Sequence, residues 1–264
     1  MLNEIRKIST KYFNGDTRRG PRQLYLMEQL RKRRCKPYLD RYGNIWVEKG
    51  SGNKLVLFSS HMDVDPRIRD MTFRSYVSES RRIVSGILDN AIGCYINLIL
   101  AQEGPRRGRA IYVFTASEEV DRKTHARFAR SAYEVIGELG KKEIKPDLCV
   151  AIDVTYPRLL HHHKRINWNK KHHEIFDIND ATHCYVDGYS TRKSKQLAAD
   201  AVKRFRNSDV ETREFFGHDE AHVYKKLSPS FACGPVVYGS FDKPYQNMPV
   251  VHAKTTLSFL RSIA

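Results

Sequence analysis

Uninterrupted apolar runs alternate along the chain with segments whose apolar residues recur at helical spacing. The runs at 55–58, 110–114 and 148–152 have the length of buried strands. Helical patterns predict two helices within 1–34, further helices at 91–102, 123–138 and 192–206, and a last one after residue 252. Such alternation is typical of α/β proteins. We therefore predict a three-layer α/β/α sandwich with a mixed, mostly parallel central sheet and helices on both faces, forming a single domain over residues 1–264.

Three segments between these elements have distinctive compositions. Turn residues at 42–44 and 50–53 delimit short strands, which predicts a hairpin ahead of the first buried strand. Residues 67–81 are polar, and we expect irregular structure there. Residues 155–180 contain five histidines without periodicity, at 161–163 and 172–173. We interpret 155–180 as a histidine-rich surface insertion, with adventitious metal binding as the alternative.

Polar side chains follow each predicted buried strand. The first run leads to His61, with Asp63 two residues on; the second leads to Glu118 and Glu119, and the third to Asp153. Because ligands bind at the carboxyl ends of strands in open α/β sheets, we expect these side chains at one edge. A carboxylate next to a histidine can hold its second ring nitrogen, as it does at metal sites.

Two other places in the chain add to this set. Asp89 and Asn90 stand just ahead of the apolar helix at 91–102, where the helix dipole favours a carboxylate. His252 precedes the predicted last helix. Each position has an ordinary explanation, such as a polar turn, a helix cap or solvated glutamates. The coincidence of all of them favours a metal site.

The five groups His61, Asp89, Glu119, Asp153 and His252 offer nitrogen and oxygen donors without a thiolate. Such a set suits zinc, cobalt or manganese at a hydrolytic centre. A catalytic zinc takes about three protein ligands, so five are too many for one ion. We therefore predict two divalent metal ions, which could be zinc, cobalt or manganese, that share a bridging carboxylate.

The chain is strongly basic, with 46 Lys and Arg against 30 Asp and Glu and a formal net charge of +16. A positive field of this size attracts polyanions or acidic substrates. The basic residues are scattered in short groups and are not interleaved with aromatic residues as in nucleic-acid-binding motifs. We interpret the charge as a solvated surface, with a nucleic-acid- or polyanion-binding role as the alternative.

Cysteine usage and hydropathy bear on location. The five cysteines are odd in number, far apart and form no C-x-x-C pair, which predicts free thiols in a reducing cytosol. The longest nearly apolar run, 91–101, is shorter than the roughly 20 residues that a membrane-spanning helix needs. The first ten residues lack the apolar segment of a secretory signal. We therefore expect a cytoplasmic protein without a membrane partner.

Taken in order, the short motifs along the chain resemble those of the co-catalytic di-zinc exopeptidase superfamily, which comprises zinc aminopeptidases and related deacylases. The matching segments are HMD at 61–63, LDNAIG at 88–93, SEEV at 117–120, AIDVT at 151–155 and VVHAK at 250–254. The hairpin at 40–50 resembles the tetrahedral and glutamyl aminopeptidases in particular. Those aminopeptidases insert a dimerisation domain between the first histidine and the bridging aspartate, and segment 62–88 is too short to contain it. Segment 154–251 is likewise too short for the rest of the catalytic core plus the lid domain of the deacylases.

The resemblance implies a role for each metal ligand. His61 and Asp153 would hold one metal ion, Glu119 and His252 the other, and Asp89 would bridge them. The peptide bond after the bridging residue, Asp89–Asn90, would be cis.

It also implies catalytic and substrate-binding residues. Asp63 would orient the first histidine, and Glu118 would be the general base that takes a proton from a metal-activated water. Asn90, His218 and Asp219 are candidate substrate-binding residues, with a surface turn at 217–220 as the alternative. The family's glycines after the glutamate pair are replaced here by Val120, Asp121 and Arg122.

The implied activity is that of a metallo-aminopeptidase, a hydrolase that removes N-terminal residues from short peptides. A homo-oligomer is a further expectation from the family. One alternative is a metal-dependent amidase or deacylase acting on a non-peptide N-acyl substrate. The other is a basic polyanion- or nucleic-acid-binding protein on a peptidase-like fold.

Overall fold

The structure is a computed structural model, and it describes residues 1–13, 19–65, 68, 71–78, 81–119, 129–156, 182–187, 191–213, 220–239 and 246–264. The helices in these ranges are α1 (Leu2–Ser9), α2 (Pro21–Lys32), α3 (Ala91–Glu103), α4 (Arg130–Lys141), α5 (Arg192–Phe205), α6 (Glu220–Tyr224) and α7 (Val250–Ile263). The strands are β1 (Tyr38–Leu39), β2 (Ile45–Gly50), β3 (Leu55–His61), β4 (Phe73–Ser78), β5 (Arg81–Gly86), β6 (Arg109–Thr115), β7 (Leu148–Ile152), β8 (Cys184–Asp187), β9 (Val210–Thr212), β10 (Ser230–Pro235) and β11 (Gln246–Pro249).

An eight-stranded sheet with the order β1-β2-β6-β3-β7-β10-β8-β9 forms the middle of the molecule. The neighbours β6, β3, β7 and β10 run parallel to one another, and β8 is parallel to β9. The pairs β1–β2, β2–β6 and β10–β8 are antiparallel. The sheet is therefore mixed and mostly parallel, as predicted, and the carboxyl ends of β6, β3 and β7 share one edge.

Strand β3 lies at the centre of the parallel part, and every one of its residues is buried. It pairs with β6 along its whole length and with β7 through 56–59. A strand covered on both faces needs apolar side chains on both, which explains the uninterrupted run that begins at Leu55. The run ends at Ser59 because the strand there approaches the edge where the polar side chains collect.

Helices cover both faces of the sheet, which confirms the three-layer prediction. On one face, α4 and α6 pack over Leu57, Ile111 and Val113 through residues such as Val135 and Tyr224. On the other face, the apolar helix α3 packs on β3 and β6, and α7 packs on β10. Helix α3 is buried on nearly all sides, which accounts for its almost uninterrupted apolar sequence.

A second, antiparallel sheet with the order β11-β5-β4 lies beside the site edge. It corrects the expectation of irregular structure at 67–81, because Phe73–Ser78 and Arg81–Gly86 form a paired hairpin. Residues 74–77 of β4 are all exposed, so the strand lacks the alternation that marks a half-buried strand.

Other features agree with the sequence or fall outside the described ranges. All five cysteines are free and buried. The hairpin of β1 and β2 is present. Among the described residues, no helix is long and apolar enough to cross a membrane. The predicted start of the helix at 123 and the histidine-rich segment beyond residue 156 lie outside the described residues.

Candidate metal centre

The carboxyl ends of three adjacent parallel strands bring most of the predicted ligands together. His61 is the last residue of β3, Asp153 directly follows β7, and the pair Glu118 and Glu119 follows β6. Asp89 approaches the same edge from the turn that starts α3. The position of this cluster follows from the parallel pairing of β6, β3 and β7, as the sequence predicted.

Two overlapping groups of donors have the spacing of a metal site. In the first, the donor atoms of His61, Asp89 and Asp153 lie within 4.8 Å of one another. His61 Nε2 is 3.2 Å from Asp89 Oδ1 and 3.6 Å from Asp153 Oδ1. The second group joins His61 to Glu118 and Glu119 within the same limit. Five of the six predicted ligand and base residues therefore meet in one pocket.

The carboxylate of Asp63 fixes the positions of these residues. It accepts hydrogen bonds from the backbone N–H of Glu118, at 3.0 Å to each oxygen, and from that of Glu119, at 2.9 Å. The same carboxylate lies 3.3 Å from His61 Nδ1. A single buried side chain thus fixes the imidazole and the glutamate pair relative to one another, which is more than the orienting role predicted for it.

In the pocket, several buried carboxyl groups lie close to a single imidazole, and this shifts their pKa values. Burial raises the pKa of Glu118 and Glu119 well above the ordinary range, and neighbouring carboxylates add to the effect. Burial also raises the pKa of Asp153, with Asp89 contributing. Burial alone would lower the pKa of His61, but the carboxylates of Asp153 and Glu118 outweigh it and raise that pKa well above its usual value.

These donors fit divalent cations. His61 Nδ1 lies 3.2 Å from the carbonyl oxygen of Asp63 and carries a proton toward it. Its Nε2 then faces carboxylate oxygens of Asp89 and Asp153, so a proton or a cation must lie between them. Asp89 Oδ1 is buried without a hydrogen-bond partner among the described residues. A cation would satisfy these atoms at once and neutralise the carboxylates. The all nitrogen and oxygen donor set suits zinc, cobalt or manganese.

His252 has the environment of a metal ligand but belongs to neither donor group. It lies in the first turn of α7 and not ahead of the helix, which corrects the predicted helix start. Its Nδ1 donates to the carbonyl of Val236 at 2.9 Å, and its buried Nε2 has no hydrogen-bond partner in the part of the chain that the structure describes. Its ring stacks on that of His183 at 4.6 Å between centroids. Burial lowers the pKa of His252 to about 4, which keeps the imidazole neutral.

Asn90 is fully buried, and both ends of its amide are engaged. Its Oδ1 accepts from Gly93 N at 2.8 Å and caps α3, while its Nδ2 donates to the carbonyl of Ile152 at 2.8 Å. We therefore assign Asn90 to the helix start instead of to substrate binding. The Asp89–Asn90 peptide bond is cis, as the resemblance implies. His218 and Asp219, with residues 120–122, lie outside the described residues.

Two residues that the sequence analysis did not select form hydrogen bonds at the pocket, and a third is buried next to β3 and β6. The hydroxyl of Tyr156 donates to Asp89 Oδ2 at 2.9 Å. Gln246 Oε1 accepts from the backbone N–H of Leu88 at 2.6 Å and of Asp89 at 2.8 Å, and so fixes the turn. Tyr156 stands directly after the AIDVT motif, a proximity that could have drawn attention to it. Gln246 has no such signal.

The third is Glu220, the first residue of α6. Its side chain is buried on the opposite side of β3 and β6 from α3, beside the hydroxyls of Ser59 and Thr115. Burial raises the pKa of Glu220 to about 7, although these hydroxyls lower it in part. Residues 214–219 lie outside the described residues.

The fold is shared with solved aminopeptidase structures of low sequence identity. The TET1 peptidase of Pyrococcus horikoshii, described as assembling into a tetrahedron or a large octahedral shell, has a TM-score of 0.73 at 13% identity, covering 100% of this chain and 99% of the other. An aminopeptidase of Desulfurococcus kamchatkensis gives 0.71 at 10%, covering 99% and 93%. The Legionella pneumophila LapA aminopeptidase gives 0.63 at 13%, covering 100% and 71%.

No protein-family model matches the sequence, and no curated protein matches it either. At identities of 10 to 13%, the structural likeness establishes the three-layer α/β fold that this chain shares with these peptidases.

Proposed function

We propose that this chain is a di-metal-dependent hydrolase, and that it acts as an aminopeptidase on short peptides. The observation that carries the proposal is the pair of donor groups centred on His61 at the carboxyl edge of β3, β6 and β7. The fold shared with solved aminopeptidases supports the same conclusion.

Within this proposal, His61, Asp89 and Asp153 would hold one metal ion, and Glu119, His252 and Asp89 would hold the second. When bound, such ions polarise a peptide carbonyl and make water more acidic. Asp63 keeps the Nδ1 proton of His61 in place, so that Nε2 presents its lone pair to the pocket. The neutral state of His252 suits the same task, because only an unprotonated nitrogen can bind a metal.

Glu118 is the general base of the proposed reaction. Its carboxyl lies in the donor group with His61 and Glu119, and Asp63 holds its backbone in place. Its side chain is buried, and the resulting high pKa makes its carboxylate a stronger base than an exposed glutamate. Glu118 would take a proton from the attacking water and pass it to the departing amine. The neighbouring Glu119 remains free for metal binding.

The experiment is an assay of aminoacyl-anilides with protein loaded with zinc, cobalt or manganese. We expect metal-dependent turnover that a chelator abolishes. Glu118→Gln should lower kcat by roughly 10²- to 10⁴-fold while the bound zinc stays unchanged. The matched control is Glu28→Gln on α2, where an exposed glutamate pairs with Lys32 and contributes little.

Two results would contradict the proposal. One is an absence of turnover by wild-type protein with every metal, and the other is full turnover by Glu118→Gln. N-acylated amino acids provide a further arm of the same assay. Faster hydrolysis of these than of free N-terminal substrates would replace the aminopeptidase assignment with an amidase or deacylase.

A further inference from the structure

Tyr156 is a neutral side chain placed among the charged groups of the metal centre. Its hydroxyl donates to Asp89 Oδ2 at 2.9 Å, and only 6% of the residue is exposed. The backbone before it is fixed by sheet-like pairing beyond the end of β7. The N–H of Thr155 donates to Pro235 O at 3.0 Å, and its carbonyl accepts from Val237 N at 2.8 Å. The phenol is therefore held in the pocket by rigid structure.

This contact makes the two oxygens of Asp89 different. Oδ1 faces His61 Nε2 at 3.2 Å and accepts no hydrogen bond from the described residues. Oδ2 is occupied by the tyrosine hydroxyl. A carboxylate that bridges two ions offers one oxygen to each. The oxygen on the side of His61 and Asp153 is ready for an ion, whereas the other is already engaged.

The remaining ligands of the second ion show the same asymmetry. His61, Asp89 and Asp153 already stand at mutual ligand distance. Glu119 is grouped with His61 and Glu118, and His252 is in neither described group. The first metal position is therefore assembled in the protein alone, and the second is not.

We propose, resting on the proposed function, that Tyr156 makes the two metal positions unequal by competing with the second ion for Asp89 Oδ2. The first ion binds to a preformed set of ligands. The second binds only as the phenol gives up its hydrogen bond, and then gathers Glu119 and His252 around the freed oxygen. Tyr156 acts through Asp89 and is thus a positioning residue that sets the metal stoichiometry at a given zinc concentration.

The test is calorimetric titration of zinc into metal-free protein, comparing wild type with Tyr156→Phe. In wild type we expect two steps, with the second at least about tenfold weaker. Loss of a hydrogen bond to a charged group should tighten the second step by on the order of 10- to 100-fold and leave the first unchanged. The matched control is Tyr112→Phe in β6, which removes a buried hydroxyl that has no hydrogen-bond partner among the residues described. It should bind zinc as wild type does.

Several outcomes would overturn the inference. Equal steps in wild type would do so without any variant, and so would a second step in Tyr156→Phe within threefold of wild type. A weakened first step would show that the tyrosine orients Asp89 for both ions instead of competing with one. These results leave the proposed function intact. Failure of wild type to bind zinc would overturn the inference alone, whereas failure to bind zinc, cobalt and manganese would overturn the inference and the proposed function together.

Discussion

Replacing Gly234 by alanine should disturb the metal centre through the backbone. Gly234 lies in β10 beside the end of β7, where Asp153 N donates to Cys233 O at 3.1 Å. A Cβ built on Gly234 would stand 1.2 Å from the carbonyl oxygen of Asp153 and 2.4 Å from its carbonyl carbon. The obstacle is main chain, which cannot rotate away as a side chain can.

The cost of this substitution can be worked from the overlap. To bring the new Cβ to ordinary contact distance, β10 and the segment after β7 must separate by roughly 2 Å. Overpacking typically costs about 1–3 kcal/mol, and a backbone clash belongs at the upper end. For a chain of this length, about 3 kcal/mol lowers the melting temperature by roughly 6–12 °C. Because Asp153 moves with the strand, zinc affinity should also fall by about 10- to 100-fold.

The assay is thermal unfolding of metal-free protein, followed by zinc titration at 25 °C. Gly137→Ala is the control: this exposed glycine lies within α4, and its new Cβ would meet no atom of the described residues within 4 Å. Alanine there should stabilise the protein by about 0.5–1 kcal/mol, since glycine is a poor helix former. A melting temperature for Gly234→Ala at or above that of wild type, or an unchanged zinc affinity, would refute the reasoning.

Two further substitutions test groups around the pocket. Asp63→Asn should weaken zinc binding by about 10- to 100-fold. The asparagine amide has one oxygen, so it cannot accept hydrogen bonds from both backbone N–H groups and from His61 as the carboxylate does. An unchanged zinc affinity in calorimetry would contradict this prediction. Burial raises the pKa of Glu220 to about 7 from an ordinary 4.5, so the folded protein binds this proton more tightly than the unfolded chain does. The resulting stabilisation is complete below pH 4.5 and is lost as the pH rises through 7. Relative to wild type, metal-free Glu220→Gln should therefore gain about 3 kcal/mol between pH 4 and pH 8.5 in denaturant unfolding, and parallel pH profiles would exclude this.

The parallel core and most of the site were predictable because their physical causes are local. A strand buried on both faces must be apolar throughout, so β3, β6 and β7 appear as runs in the sequence. Parallel pairing then brings the residues after them to one edge, so His61, Asp153 and the glutamate pair could be placed together before any coordinates. The helix after Asp89 was equally plain, since it is apolar on nearly all sides.

What the sequence could not predict depends on contacts between distant segments. Strand β4 is exposed at four consecutive residues, so no apolar alternation marks it. The hydrogen bond from Tyr156 to Asp89 joins residues that are 67 positions apart, and no local sequence pattern predicts it. The start of α7 was misplaced by a few residues, which put His252 outside the helix. Helix ends are weakly specified by sequence, and here Pro249 and not a polar cap precedes the first turn.

The hydrogen bonds between Gln246 and the turn before α3 have a consequence for folding during synthesis. This side chain reaches the backbone of Asp89 from 157 positions later in the chain. During synthesis from the N-terminus, β3, β6 and β7 have all left the ribosome well before Gln246 does, so the sheet can pair while that turn still lacks its clamp. Maturation of the metal pocket is therefore a late event, and chains that end after β10 but before Gln246 should display the sheet without the finished centre.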